Sequence, residues 1–275
     1  MKAVCGICPH HCDLAEGQTG LCRARKNVGG DVVCTNYGKI TALALDPIEK
    51  KPLFRFMPGR TVLSVGSYGC NLNCPFCQNC DISMADEKTS GAFQYAPGGL
   101  AEKALELRTS GNVGLAYTYN EPLVGYEYVR DCATLIHEHG LKNVVVTNGY
   151  ICEKPLVELL PLIDAMNIDL KGFTQAFYKN IGGDIQTVKQ TIETAAKSCH
   201  VEVTTLVIPG ENDRDEEIDA LSVWLAGVSP EIPLHLTRFF PRYRYSGKDP
   251  TSTAVICRLR DIASRHLKYV YTGNM

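Results

Sequence analysis

Thirteen cysteines stand out in a chain of 275 residues, and eight of them fall into two tight groups. One group, in S-Y-G-C-N-L-N-C-P-F-C-Q-N-C, sets Cys70, Cys74 and Cys77 at C-x3-C-x2-C spacing, with Cys80 one further C-x2-C step along. Three thiolates on one short loop can each hold one iron of a four-iron cubane. A triad leaves the fourth iron open, able to chelate the amino and carboxylate groups of a small molecule. The C-x2-C steps would equally let Cys70 or Cys74 join Cys77 and Cys80 around zinc. The other group, Cys5, Cys8, Cys12 and Cys22, places four thiols within 18 residues. That spacing admits a closed tetrahedral zinc site or a second iron–sulfur cluster. His10 and His11 are alternative ligands or solvent-facing loop residues. The remaining five, Cys34, Cys132, Cys152, Cys199 and Cys257, are scattered and read as small buried hydrophobes. Neither Cys8 nor Cys77 precedes a histidine, which excludes C-x-x-C-H haem attachment.

Composition narrows the setting. With 28 basic and 30 acidic side chains the net charge is −2, which gives no electrostatic case for a nucleic-acid binder. No apolar run approaches the roughly 18 residues of a membrane span. The start, M-K-A-V-C-G-I-C-P-H-H-C, lacks an apolar signal region, and the length is too great for a disulfide-stapled mini-protein. The expectation is a soluble, cytoplasmic chain whose clustered thiols hold metal.

The elements that must position these thiols divide into two textures. Residues 1–60 are irregular and cysteine-rich, with short β-like pieces at 32–37 and 40–45; residues 61–275 alternate strand and helix. Strands are predicted at 61–68, 112–119, 143–147, 163–170, 200–208 and 234–240, with a short one at 268–271. Helices are predicted near 99–110, 122–140, 153–160, 175–198 (interrupted at Gly182 and Gly183), 213–226 and 253–266. Such alternation argues for a parallel sheet with right-handed crossovers, buried on both faces. Periodicity does not separate a barrel from an open sheet.

C-x3-C-x2-C with an aromatic residue, Phe76, before the last cysteine resembles the signature of radical S-adenosylmethionine (SAM) enzymes. There a [4Fe–4S] cluster chelates SAM at its open iron and cleaves it with one electron, releasing a 5′-deoxyadenosyl radical. Further similarities fall at predicted strand ends. Tyr119-Asn120-Glu121 resembles the family's Gly-Gly-Glu motif, which receives the cofactor's amino group, although only Glu121 matches. The other reading of Glu121 is a carboxylate at a helix N-terminus, stabilised by the dipole. Thr147-Asn148-Gly149 and Asn167-Ile-Asp-Leu-Lys171 are similar to the T-N-G and D-L-K motifs of pyruvate formate-lyase activating enzymes, which implies that Asp169 and Lys171 lie by the methionine moiety. The family's acidic residue before T-N-G is Val146 here, so the resemblance does not carry over a monovalent-cation site. Val207-Ile-Pro-Gly210 resembles the segment lining the adenine.

The runs D-P-I-E-K-K-P-L at 46–53, F-M-P-G at 56–59, G-C-N-L-N-C-P-F-C-Q-N, A-Y-T-Y-N-E-P, N-I-D-L-K-G-F, H-L-T-R-F-F-P and Y-V-Y-T-G-N together resemble the AmmeMemoRadiSam-system radical SAM enzymes. That group is a branch of the pyruvate formate-lyase activating enzyme relatives. Cys80 stands where relatives often lack a cysteine, and the chain stops soon after Y-V-Y-T-G-N, where relatives tend to run on. The resemblance implies an α/β fold, an incomplete (β/α)6 barrel with the cluster at the strands' C-terminal ends. It implies hydrogen abstraction from a substrate, small molecule or protein, with an electron donor such as flavodoxin or ferredoxin as partner. Glycyl-radical enzyme activation is the alternative within this chemistry. A non-catalytic zinc-binding interaction module and an iron–sulfur electron carrier are the alternatives outside it. The aromatic and basic stretch 238–245 is read as the rim of the site, and His235 as a barrel-interior residue.

Overall fold

The structure, a computed structural model, describes all 275 residues and centres on one eight-stranded sheet. In chain order its strands are β1 (Ala42–Pro47), β2 (Thr61–Gly66), β3 (Asn112–Tyr117), β4 (Lys142–Thr147), β5 (Ala165–Asp169), β6 (His200–Val207), β7 (Leu234–Arg238) and β8 (Val270–Gly273). β2 to β8 pair in parallel in chain order, and β1 adds antiparallel to β2. β1 and β8 are the two edges, so the sheet does not close into a full barrel. The crossovers carry helices α1 (Pro97–Glu106), α2 (Tyr126–Glu138), α3 (Glu153–Leu159), α4 (Ile185–Ala195), α5 (Asp215–Val228) and α6 (Thr253–Ala263). No helix is long and apolar enough to cross a membrane.

Local sequence explains these elements. β4 reads K-N-V-V-V-T, and its Val144, Val145 and Thr147 are buried, with Val146 partly so. α4 begins where the Asp184 carboxylate accepts the Thr187 N–H at 2.9 Å, a side-chain N-cap. Its Ile185, Val188, Ile192 and Ala195 recur at helical spacing and are buried against the sheet. The predicted interruption at Gly182 and Gly183 is a turn between Gln175–Asn180 and α4.

The β-like piece predicted at 40–45 is in fact two strands, Lys39–Ile40 and β1. β1 covers the edge of β2, whose backbone groups need partners. Between β1 and β2, residues 48–60 fold under the barrel. Ile48 and Leu53, both fully buried, pack on Val62, Ala116, Val144 and Ala165 near the strand starts. The run D-P-I-E-K-K-P-L thus forms a floor. Its polar fastening is Glu202, a fully buried carboxylate that accepts the Phe54 and Arg55 N–H groups at 3.1 and 2.7 Å. The same carboxylate bonds to His200 at 2.9 Å and His235 at 2.6 Å. His235 is therefore a barrel-interior residue, stacked on Tyr271 and edge-on to Phe54.

The cysteine-rich segment is built from short hairpins, Ala3–Val4 with Asp13–Leu14 and Arg25–Val28 with Asp31–Cys34. The buried Arg25 guanidinium pins it to α2, donating to both carboxylate oxygens of Glu127 at 2.6 and 2.8 Å and to the Val124 carbonyl.

Burial opposes ionisation of Glu202, yet the histidine and backbone bonds hold its carboxyl down at about 2, against an ordinary value of 4.5. A carboxyl lowered in the folded state stabilises above its unfolded pKa, and that stabilisation is lost as pH falls through the folded value. Denaturant unfolding of the metal-free chain is therefore expected to lose up to about 3 kcal/mol between about pH 4.5 and about 2 through this group. Glu202→Gln should flatten that slope; an unchanged slope would remove Glu202 as its source.

Candidate metal and cofactor site at the strand ends

The loop after β2 carries Cys70, Cys74 and Cys77 past the C-terminal ends of the parallel strands. Gly69, which precedes it, has φ +91°, and a Cβ there would stand 2.5 Å from the Cys22 carbonyl. Only glycine lets the loop turn while the N-terminal segment lies directly on it. Asn120 braces the same turn. Its side chain accepts the Ser67 N–H at 3.0 Å and donates to the Tyr68 and Gly69 carbonyls at 3.1 and 3.0 Å. Phe76 is buried between Phe177 and Tyr245. The stretch 238–245 folds over this loop: Arg244 N–H donates to the Pro75 carbonyl and Arg242 pairs with Asp81.

Glu121 is the node of the site. Its carboxylate accepts the Thr147 hydroxyl at 2.7 Å, the Asn148 N–H at 2.7 Å and the Leu123 N–H at 3.1 Å. It caps the 3-10 turn Pro122–Gly125 and joins the ends of β3 and β4. Burial pushes its carboxyl up to about 7 against these three bonds. Asn148 then reaches the loop, its amide donating to the Asn71 side-chain oxygen at 2.9 Å and lying 3.6 Å from the Cys70 sulfur. Gly149 completes the turn at φ +69°, where a Cβ would meet Ile168 at 2.9 Å. On the far side Lys171 bonds to Asp169 at 2.9 Å. Burial would lower the Lys171 pKa, but Asp169 and Cys74 raise it, so the ammonium is held beside that thiol.

Other predicted residues lie apart from this array. Tyr119, at φ +74°, turns its ring down the barrel, where its hydroxyl donates to Asp46 at 2.7 Å and Lys51 lies 4.6 Å over the ring. Asn120 faces the loop backbone. Val207 is fully buried, its carbonyl accepting the Thr251 hydroxyl. Cys80 opens a short helix, and its thiol contacts Asp81 at 3.7 Å. Spacing does not reveal Asn71, Asp46 or Lys51 as neighbours of the motif residues. All thirteen cysteines are free thiols; of the scattered five only Cys132 is fully buried, the others being partly exposed.

The donor set fits an iron–sulfur cluster. Burial holds the Cys70 and Cys74 thiols protonated, Cys74 at about 12. A bound cation converts such thiols to thiolate ligands. No three His, Cys, Asp or Glu side chains converge as a single-ion site; a cubane uses thiolates on separate irons.

A partial α/β barrel with a cysteine-bearing loop after its first parallel strand defines the class of cluster-dependent barrels. The family model described as the radical SAM superfamily matches residues 64–221. An uncharacterized protein of Methanocaldococcus jannaschii is 39% identical over the whole chain and 82% of its own length. The chain belongs to the radical SAM superfamily, which implies a [4Fe–4S] cluster and SAM. The pyruvate formate-lyase 1-activating enzyme of Escherichia coli is 26% identical over 56% of this chain and 63% of its own length. The benzylsuccinate synthase activating enzyme of Thauera aromatica is 25% identical over 82% and 73%. Among solved structures, a radical SAM methyltransferase of Sphaerobacter thermophilus shares the fold with a TM-score of 0.60 at 17% identity, covering 79% of this chain and 67% of that one.

Removing the Glu121 carboxylate leaves three buried donors unpaired. Glu121→Ala is expected to lower the unfolding free energy of the metal-free chain by about 1–3 kcal/mol. An unshifted denaturation midpoint would show that the carboxylate does not hold β3 to β4.

Proposed function

We propose that the chain is a radical SAM enzyme of the AmmeMemoRadiSam-system type, within the activating-enzyme branch of the superfamily. Cys70, Cys74 and Cys77 hold the [4Fe–4S] cluster. Glu121, Thr147 and Asn148 face the amino-acid end of SAM, with Asp169 and Lys171 by its methionine moiety and Tyr119, Asn120 and Val207 contributing backbone. When bound, the cluster supplies the electron that cleaves SAM reductively to a 5′-deoxyadenosyl radical, which takes hydrogen from the substrate. The observation carrying this reading is the bonded array Glu121–Asn148–Cys70, which sets a carboxylate and an amide beside a thiol at adjacent strand ends.

In this reading the chain's residues bind, orient and enclose. Glu121 has its protein donors fixed in advance, so an incoming ammonium meets a carboxylate that need not reorganise. Lys171, tethered by Asp169, stabilises negative charge on the Cys74 sulfur. The rim at 238–245 covers the loop and limits water and oxygen at the reacting carbon. A one-electron protein donor such as flavodoxin or ferredoxin completes the reaction.

The likeness to two named activating enzymes favours a second reading, in which the hydrogen comes from a glycine of a protein substrate. A persistent glycyl doublet in the paramagnetic spectrum of a glycyl-radical protein encoded beside this gene would establish it. The system's two partner proteins as neighbours, with no glycyl-radical gene, would exclude it.

With SAM and dithionite, anaerobically reconstituted protein is expected to release 5′-deoxyadenosine. Cys70→Ala, Cys74→Ala and Cys77→Ala should abolish release, whereas Cys80→Ser should retain both release and the SAM-induced change in the cluster's spectrum. Glu121→Gln should weaken SAM binding by roughly one to two orders of magnitude, the worth of one charged hydrogen bond. Folded protein that stays colourless and iron-free however reconstituted would instead support the zinc module. Loss of the cluster in Cys80→Ser with retention in Cys70→Ala would overturn the ligand triad.

A further inference from the structure

The N-terminal thiols lie against the Cys70 loop, and the contact is polar and continuous. Asn71, which follows Cys70, is buried at this contact. Its amide donates to the Tyr150 carbonyl at 2.7 Å, and its oxygen accepts the Asn148 amide at 2.9 Å. Asn148 uses its other hydrogen toward the Cys70 sulfur at 3.6 Å. With the His10 bond to the Asn71 carbonyl, these two carboxamides form a polar path from the N-terminal segment to the Cys70 sulfur. Flanking contacts fix the approach. His10 Nε2 bonds the Asn71 carbonyl at 2.7 Å, and Arg23 donates to the Cys70 carbonyl at 3.4 Å. The Cys22 carbonyl stands where a Gly69 side chain would be. Within the N-terminal group, Cys5 N–H donates to the Cys12 carbonyl at 3.0 Å, and Cys5, Cys8 and Cys22 are buried.

We infer that Cys5, Cys8, Cys12 and Cys22 hold a second iron–sulfur cluster, which relays electrons through Asn71 and Asn148 to the cluster at Cys70, Cys74 and Cys77. A structural zinc needs ligands that converge on one ion, which no three His, Cys, Asp or Glu side chains here do, and it has no redox chemistry to couple along this path. One electron from an external one-electron protein donor reduces the N-terminal cluster. That cluster is reoxidised as it reduces the second, where the electron is consumed in cleaving SAM. The inference rests on the proposed function, and the two are tested separately.

The anaerobically reconstituted full chain is expected to bind about eight irons, and the C70A/C74A/C77A variant about four, held by the N-terminal group alone. Reduced wild-type protein should show spin-coupled signals, each variant lacking one group an uncoupled one. C5A/C8A/C12A/C22A, with wild-type circular dichroism, should cleave SAM with dithionite but not with reduced flavodoxin. If that variant does not fold, the iron content of C70A/C74A/C77A still decides. An iron-free C70A/C74A/C77A protein, with about four irons and one zinc in the wild type, overturns the second cluster and leaves the proposed function standing. Full iron in C70A/C74A/C77A overturns the triad instead.

Discussion

A carboxylate taken out of water must find hydrogen-bond donors, and Glu121 finds two at the end of β4 and one in the turn that follows it in sequence. That requirement joins β3 to β4, orients Asn148, and through Asn148 fixes the start of the Cys70 loop. The helix-cap role and the cofactor role proposed for Glu121 are thus compatible. The bond to Leu123 N–H starts the turn into α2, and the bonds to Thr147 and Asn148 hold the end of β4. A carboxyl pushed up to about 7 by burial is poised to ionise when a cation arrives beside it.

The barrel's other end is organised by the same rule. Glu202 gathers two histidines and two backbone amides to seal the strand starts, while Ile48 and Leu53 fill the space below. The floor is closed by the chain's own residues 48–60, and at the opposite end the thiol loop meets the stretch 238–245. The Asp46–Lys51–Tyr119 group ties the two ends together. Tyr119 takes a left-handed conformation where the related motif has glycine, and its ring reaches down the interior to an ion pair in the floor segment. Such a strained backbone persists only where surrounding contacts hold it.

The N-terminal segment is as much a support of the loop as a neighbour to it. Arg25 anchors it on α2, Gly69 makes room for Cys22, and His10 and Arg23 hold the carbonyls of Asn71 and Cys70. The division of the chain near residue 60 that its texture suggests therefore coincides with dense contact across it, and β1, before that point, joins the main sheet.

The sequence by itself determined what depends on neighbours in the chain. The alternation of strands and helices, the caps and glycine turns, and the loop triad Cys70, Cys74 and Cys77 are local patterns, set by backbone geometry and by residue spacing. The strand-end motifs were legible for the same reason, since each directly follows a strand. What residues far apart do to one another belonged to the tertiary structure alone. That the strands curve into a partial barrel, that 46–53 is its floor, that Tyr119 turns inward and Val207 stays in the core, and that Asn71 meets both His10 of the N-terminal segment and Asn148 of the β4 end all follow from packing. A hydrogen bond or a buried contact depends on distance in space, and sequence spacing encodes that distance only within a single element.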